Sequence, residues 1–219
     1  MILSTFYFCW NLGALLTLAF RLLRRLPSSW TPWHKATSFL TFVVLIPILT
    51  LILVSLIAPV NALTAGVGLG LLLLADHFIP AATQEPSTQV DSKETLSAPT
   101  ILGASLFTGV LVHWAMMTAF RGTGFAWDDM TYHAVSPAWW LQTSSLSVAP
   151  YTYQVYFPFN AELLAFFFML PFQNDGQASL GVFLWGALAM TAAVTVAKQL
   201  GQHSGVAMTS IALFLIATP

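Results

Sequence analysis

Six runs of apolar residues, each close to the length of a bilayer core, govern what this chain can fold into. They cover residues 2–20, 38–58, 61–79, 100–120, 178–197 and 204–219. A hydrocarbon core about 30 Å thick needs about 20 such residues in a helix. Lipid offers no partner for a free backbone amide or carbonyl, so each run is expected to be helical. Composition agrees: 57% of the residues are hydrophobic and only 7% are charged, against about 25% charged in a soluble domain. The expectation is an all-α, polytopic transmembrane protein with about six spans.

The first run has no basic residue before it and is followed by Arg21, Arg24 and Arg25. That is the reverse of a cleavable signal peptide, so it reads as a retained span. A net charge of −1, with no basic tract and no acidic tail, gives no sign of nucleic acid as a partner. Cys9, the only cysteine, cannot form an internal disulfide and reads as a small buried hydrophobe. Pro47 lies within the second run and is expected to kink it rather than end it. "APVN" at 58–61 leaves room for a tight hairpin.

Orientation follows from the basic residues. Arg21, Arg24, Arg25 and Lys35 put the loop 21–37 in the cytoplasm. Two further crossings return the chain there for 80–99, "PAATQEPSTQVDSKETLSAP", a polar stretch without helical period. The next span carries Arg121 to the outer face, where 121–177 forms one large loop with juxtamembrane amphipathic helices. Within it, "FPFNAELLAFFFML" at 157–170 is apolar, but a helix of that length covers about 21 Å, too little to span. It is expected to lie along the outer interface. Trp127, Trp139, Trp140, Tyr132, Tyr151, Tyr153 and Tyr156 are of the types that settle at headgroup level.

The same loop gathers three of the eight carboxylates, Asp128, Asp129 and Glu162, with Asp175 at its far end. On a helix over 130–140, Met130, Ala134, Ala138 and Leu141 form an apolar stripe. Asp129 and His133 are then four apart, as are Asp128 and Tyr132, so polar partners share a neighbouring face. Pro137 is expected to bend this segment. Either aspartate suits a helix N-cap, and one would suffice for that. A functional carboxylate is the other reading, and the residues alone leave both open.

"WDDMTYHAVSPAWWLQTSSL" resembles bacterial members of glycosyltransferase family 39, within the GT-C superfamily of integral-membrane glycosyltransferases, which read W-D-x-L-T-Y-H followed by W-L-Q. "YFPFNAELLAFFFML" is similar to their Y-Y-P-P-x-x-E-L-L element, and "AKQLGQHSGVAMTSIALFLIATP" to the stretch after the next span. The resemblance covers about residues 111–219. It implies that 100–219 is the N-terminal part of a GT-C-like core and that 1–99 is a three-span extension. Pro158 stands alone where the family often has two prolines, and Met130 replaces a leucine. Family members also continue through further spans, so a longer chain is expected.

What the resemblance implies is transfer of a sugar from a polyprenyl phosphate donor to an acceptor hydroxyl outside a bacterial plasma membrane. The family's essential aspartate falls on Asp128, with Asp129 beside it, and His133 and Glu162 match its histidine and glutamate. A carboxylate takes the proton of the attacking hydroxyl, and the leaving phosphate needs cations or donors. Arg121 and His133 are assigned to the phosphate, and Tyr132 and Glu162 to substrate. The acceptor is a lipid, a protein or a cell-wall polymer. No cofactor is expected; Asp128, Asp129, His133 and Glu162 offer metal-binding atoms without a metal-site spacing. A non-catalytic membrane subunit, a transporter-like protein or an inactive remnant is the alternative.

Three further features have structural readings. "GVGLG" at 66–70 lies inside an apolar run and suits close helix packing rather than a phosphate loop. His113, inside the fourth run, is expected to hydrogen-bond a neighbouring helix. Asp76 and His77 close the third run and are expected at the interface.

Overall fold

In the computed structural model, which describes residues 1–80, 97–121, 135–148, 150 and 160–217, the chain is an all-α polytopic membrane protein. Among the described residues the helices are α1 (Ile2–Arg24), α2 (Pro32–Ser55), α3 (Ala62–Phe78), α4 (Ala98–Arg121), α5 (Val135–Thr143), α6 (Asn160–Met169), α7 (Ala178–Gln199) and α8 (Ser204–Ala217). Four of them, α1, α2, α4 and α7, are long and apolar enough to cross a membrane. The other two expected spans, α3 and α8, are apolar but shorter. At 1.5 Å per residue they reach about 26 Å and about 21 Å.

Local sequence explains where several helices begin and end. Thr31 caps α2, its hydroxyl accepting from the His34 amide, and Pro32 occupies the first helical position. An amide at the first helical position has no acceptor inside the helix, so the N–H that proline lacks costs nothing there. Pro47, by contrast, is interior, and α2 runs through it unbroken. Asn61 caps α3 by accepting from Leu63 and Thr64, and the Thr64 hydroxyl accepts in return from the Asn61 amide. At the end of α7, Gly201 takes φ +83°, the left-handed conformation open to glycine. Its amide donates to Lys198 and that of Gln202 to Ala197, which closes the helix end. The chain can then start α8 within a few residues.

Packing divides into two clusters that meet along α2 and α7. One joins α1, α2 and α3, with α5 and α6 against them, through Leu15, Val44, Leu51, Leu69 and Phe166. The other joins α4, α7 and α8 through Phe107, Met190, Val194 and Met208. Thr37 and Thr195 share a 2.8 Å hydrogen bond between α2 and α7. Such interhelical bonds contribute about 0.6 kcal/mol in a membrane, so the contact area must supply the rest. Trp33 on α2 meets Phe107 on α4 edge-on, with ring centroids 5.9 Å apart.

Small residues set how closely the helices approach. The glycines of "GVGLG" face two neighbours in turn. A Cβ on Gly66 would lie 2.6 Å from Oδ1 of Asn11 on α1, and one on Gly68 would lie 2.9 Å from Cγ2 of Thr50 on α2. The expected packing role is therefore realised, and Trp10 adds a hydrogen bond to the Gly66 carbonyl. Where α4 crosses α8, a Cβ on Gly103 would overlap the Gly205 carbonyl, and one on Gly205 would overlap that of Pro99.

Charge is sorted by the two ends of the bundle. Arg21, Arg24, Arg25, Lys35 and Lys198 all sit at the end where α1 and α7 finish and α2 begins, joined by a 2.9 Å contact between His34 and Gln199. Arg121 closes α4 at the opposite end. Asp76, in the last turn of α3, is buried at 4% exposure beneath two arginines. Its Oδ2 accepts from Arg21 at 3.4 Å, and its Oδ1 lies 2.7 Å from Arg25 Nη1 at an angle outside hydrogen-bond geometry. Arg25 also donates to the carbonyls of Asp76 and Ile79, so it doubles as a cap for α3. Cys9, read as buried, is exposed on α1.

Replacing Gly103 by leucine is expected to force α4 off α8 and destabilise the fold by about 1–3 kcal/mol. Gly13→Leu, at a position with nothing within 4 Å of a Cβ, should leave stability unchanged. Unfolding of the two variants in the same detergent measures the difference.

Candidate functional site

The end of the bundle opposite the basic residues is built by α5, α6 and the start of α7. Helix α6 is the centre of it. Every residue from Glu162 to Leu170 is buried, with Leu164 and Phe166 at 0% exposure. This overturns the expectation of a helix lying along the outer interface. An interfacial helix needs a polar face, and "NAELLAFFFM" has none: its one charged side chain is Glu162. A helix apolar all round belongs inside, and α6 packs between α2 and α7. The α7 side permits this because a Cβ on Gly181 would lie 2.7 Å from the Ala165 amide nitrogen.

Helix α5 closes over α6. Trp140 is buried and meets Phe166 edge-on at 5.5 Å. The buried face of α5 is Ser136, Pro137 and Trp140, while Ala138 and Leu141 are half-buried. Leu141, of the expected stripe, packs against the core from the margin of this face, which Trp140 centres. Two further members of the stripe, Met130 and Ala134, lie outside the described residues. Of the two adjacent tryptophans, Trp140 is the one that faces Phe166, and it removes the more apolar surface from water.

Two indoles then fix the chain after α5. Trp140 Nε1 donates to the Ser147 carbonyl at 2.9 Å and Trp139 Nε1 to the Ser147 hydroxyl at 3.0 Å. Ser144, at φ 52°, offers its carbonyl to the Val60 amide at 2.7 Å, which ties this segment to the α2–α3 connection. Trp140 is thus a buried anchor of this end of the bundle.

Of the site residues read from sequence, Glu162 is described fully. It lies in the first turn of α6 and is 5% exposed. A buried carboxylate is costly unless polar groups surround it, so its place in the most apolar helix of this end is notable chemically. Arg121 is the last residue of α4; its side chain, like Asp128, Asp129, Tyr132 and His133, falls outside the described residues. So do Trp127, Tyr151, Tyr153 and Tyr156. Among the described residues, no group of three or more His, Cys, Asp or Glu side chains gathers where a metal could be held.

Asn11 is a polar residue that sequence reading missed. It is 2% exposed on α1, and its amide donates to the Ala62 carbonyl at 3.4 Å. A lone asparagine inside an apolar run was the available signal. Beside it, Phe8, Leu12, Phe167, Phe168 and Pro171 meet in an apolar seam between α1 and α6.

Comparison with protein-family models, with curated proteins and with solved structures finds no match for this chain.

Trp140→Ala should remove the contact that seats α5 on α6 and cost about 3–5 kcal/mol of stability. Trp139→Ala, at a half-buried position, should cost clearly less. Parallel denaturation curves, with protease sensitivity of the segment after Thr143, read out the contrast.

Proposed function

We propose that this chain is a membrane glycosyltransferase, or the N-terminal part of one, that moves a sugar from a polyprenyl phosphate to an acceptor hydroxyl. The observation that carries this reading is the packing of α5 on α6. It brings the helix that follows the acidic pair Asp128–Asp129 against the helix that carries the buried Glu162. Arg121 ends α4 at the same end of the bundle. The described parts of two of the three segments that resemble family 39, α5 and α6, are thus neighbours in space, which supports a shared site.

The acceptor hydroxyl attacks the anomeric carbon and passes its proton to Asp128, while the bond to the lipid phosphate breaks. Asp129 stands beside the base, and Arg121 and His133 stabilise the charge that gathers on the phosphate. Glu162 and Tyr132 hold sugar hydroxyls; a carboxylate fits the first of these tasks because it accepts from two hydroxyls at once. No nucleotide-binding fold is needed when the donor is lipid-linked.

Sidedness follows from the charge sorting. The end holding Arg21, Arg24, Arg25, Lys35 and Lys198 faces the cytoplasm by the positive-inside rule. The α5–α6 end then faces outward across a bacterial plasma membrane, where lipid-linked sugars are presented to lipid, protein or cell-wall acceptors.

Asp128→Asn in the full-length protein is expected to lower the rate of sugar transfer by about 10²–10⁴ with membrane insertion intact. Glu162→Gln should raise KM for the donor sugar more than it lowers kcat. Near-normal transfer by Asp128→Asn would remove that residue from the role of base.

A further inference from the structure

The two arginines over Asp76 are used differently. Arg25 is turned inward. One terminal nitrogen lies 2.7 Å from Asp76 Oδ1, and the other donates to the carbonyls of Asp76 and Ile79 at 2.8 and 3.2 Å. Its side chain is 21% exposed. Arg21 is tethered by one hydrogen bond among the described residues, from Nη1 to Asp76 Oδ2 at 3.4 Å, and its side chain is 44% exposed. A guanidinium carries a rigid fork of N–H donors, so Arg21 has donors left for a partner outside the protein.

Depth narrows what that partner is. Arg21 follows directly on the apolar run 2–20. As a helix that run covers about 28 Å, so Arg21 stands where the hydrocarbon ends. Phe20 beside it is exposed, as are Leu74 and Phe78, two residues either side of Asp76 on α3. Trp30, exposed in the connection to α2, is of the type found at headgroup level. An anion that fits both the guanidinium and these apolar side chains carries hydrocarbon of its own. The charge balance favours an anion. Among the described residues this end holds Arg21, Arg24, Arg25, Lys35 and Lys198, against the carboxylate of Asp76.

We infer that Arg21 binds the phosphate of an anionic membrane phospholipid, whose acyl chains lie against Phe20, Leu74 and Phe78. A planar guanidinium meets two phosphate oxygens at once through parallel N–H···O bonds. Asp76 holds one edge of the Arg21 fork from within the bundle. That restrains a long side chain beforehand and lowers the ordering cost of binding. Arg24, three residues on along the same face of α1, adds to the positive potential. Arg25, committed to Asp76 and the end of α3, keeps the carboxylate compensated while Arg21 engages the lipid. Such binding requires a membrane and no sugar transfer.

The test uses the full chain in a neutral detergent, with phosphatidylglycerol or phosphatidylcholine of the same acyl chains added. Native mass spectrometry counts the lipid retained. Phosphatidylglycerol should be retained preferentially, and Arg21→Gln should weaken its binding about fivefold. Lys198→Gln removes the same charge from α7 and should bind as the wild type does. Inorganic phosphate should not compete. A photoreactive phosphatidylglycerol should also label the wild-type chain at the peptide holding Phe20 and Arg21, a readout that needs no variant to fold. Equal retention of the two lipids would overturn the inference, as would equal losses in the two variants. So would competition by inorganic phosphate, the mark of a soluble-anion site, or labelling confined to other helices.

Discussion

A bilayer core has nothing to offer a bare peptide group, and that constraint shapes every level of this molecule. It makes each described element a helix and requires the ends of each helix to be satisfied by neighbours. Thr31, Asn61 and the Gly201 turn do this locally. Arg25 does it over a longer range by donating to the last carbonyls of α3 while holding Asp76. The ion cluster at that end is therefore part of the backbone accounting as well as a charge pair.

With apolar surface facing lipid and protein alike, burial of hydrocarbon does little to choose between them. Close approach does the choosing, because dispersion gains rise steeply as surfaces meet. Glycines occupy the crossings that matter: Gly66 against α1, Gly68 against α2, Gly103 with Gly205 between α4 and α8, and Gly181 against α6. Gly186 leaves room for the ring of Trp114. A bulkier residue at 181 would push α6 outward and take Glu162 with it.

Much of this was legible from residues alone, and the gaps have physical reasons. The six apolar helices, four of them long enough to cross, and the packing role of residues 66–70 follow from local patterns of apolarity and glycine. The burial of α6 was legible too, in the lack of any polar face, but its shortness suggested the interface instead. The buried face of α5 was not, because several faces of "VSPAWWLQT" are apolar enough to pack, and only the position of Phe166 selects Trp140. Asp76 needed Arg21 and Arg25, which lie about 50 residues away in sequence and meet it only in the fold. Of the candidate site, Glu162 is the residue whose surroundings the fold supplies. Asp128, Asp129, Tyr132 and His133 rest on their sequence motif.

The measurement that bears most directly on the functional reading is release of polyprenyl phosphate from lipid-linked sugars by the full-length protein in liposomes. A panel of hexosyl and pentosyl donors would be supplied together with hydroxyl acceptors. The expected result is acceptor-dependent release with at least one donor, from donor presented on the face that carries α5 and α6. Folded protein that releases no polyprenyl phosphate from any of them would contradict the reading of this chain as a sugar transferase.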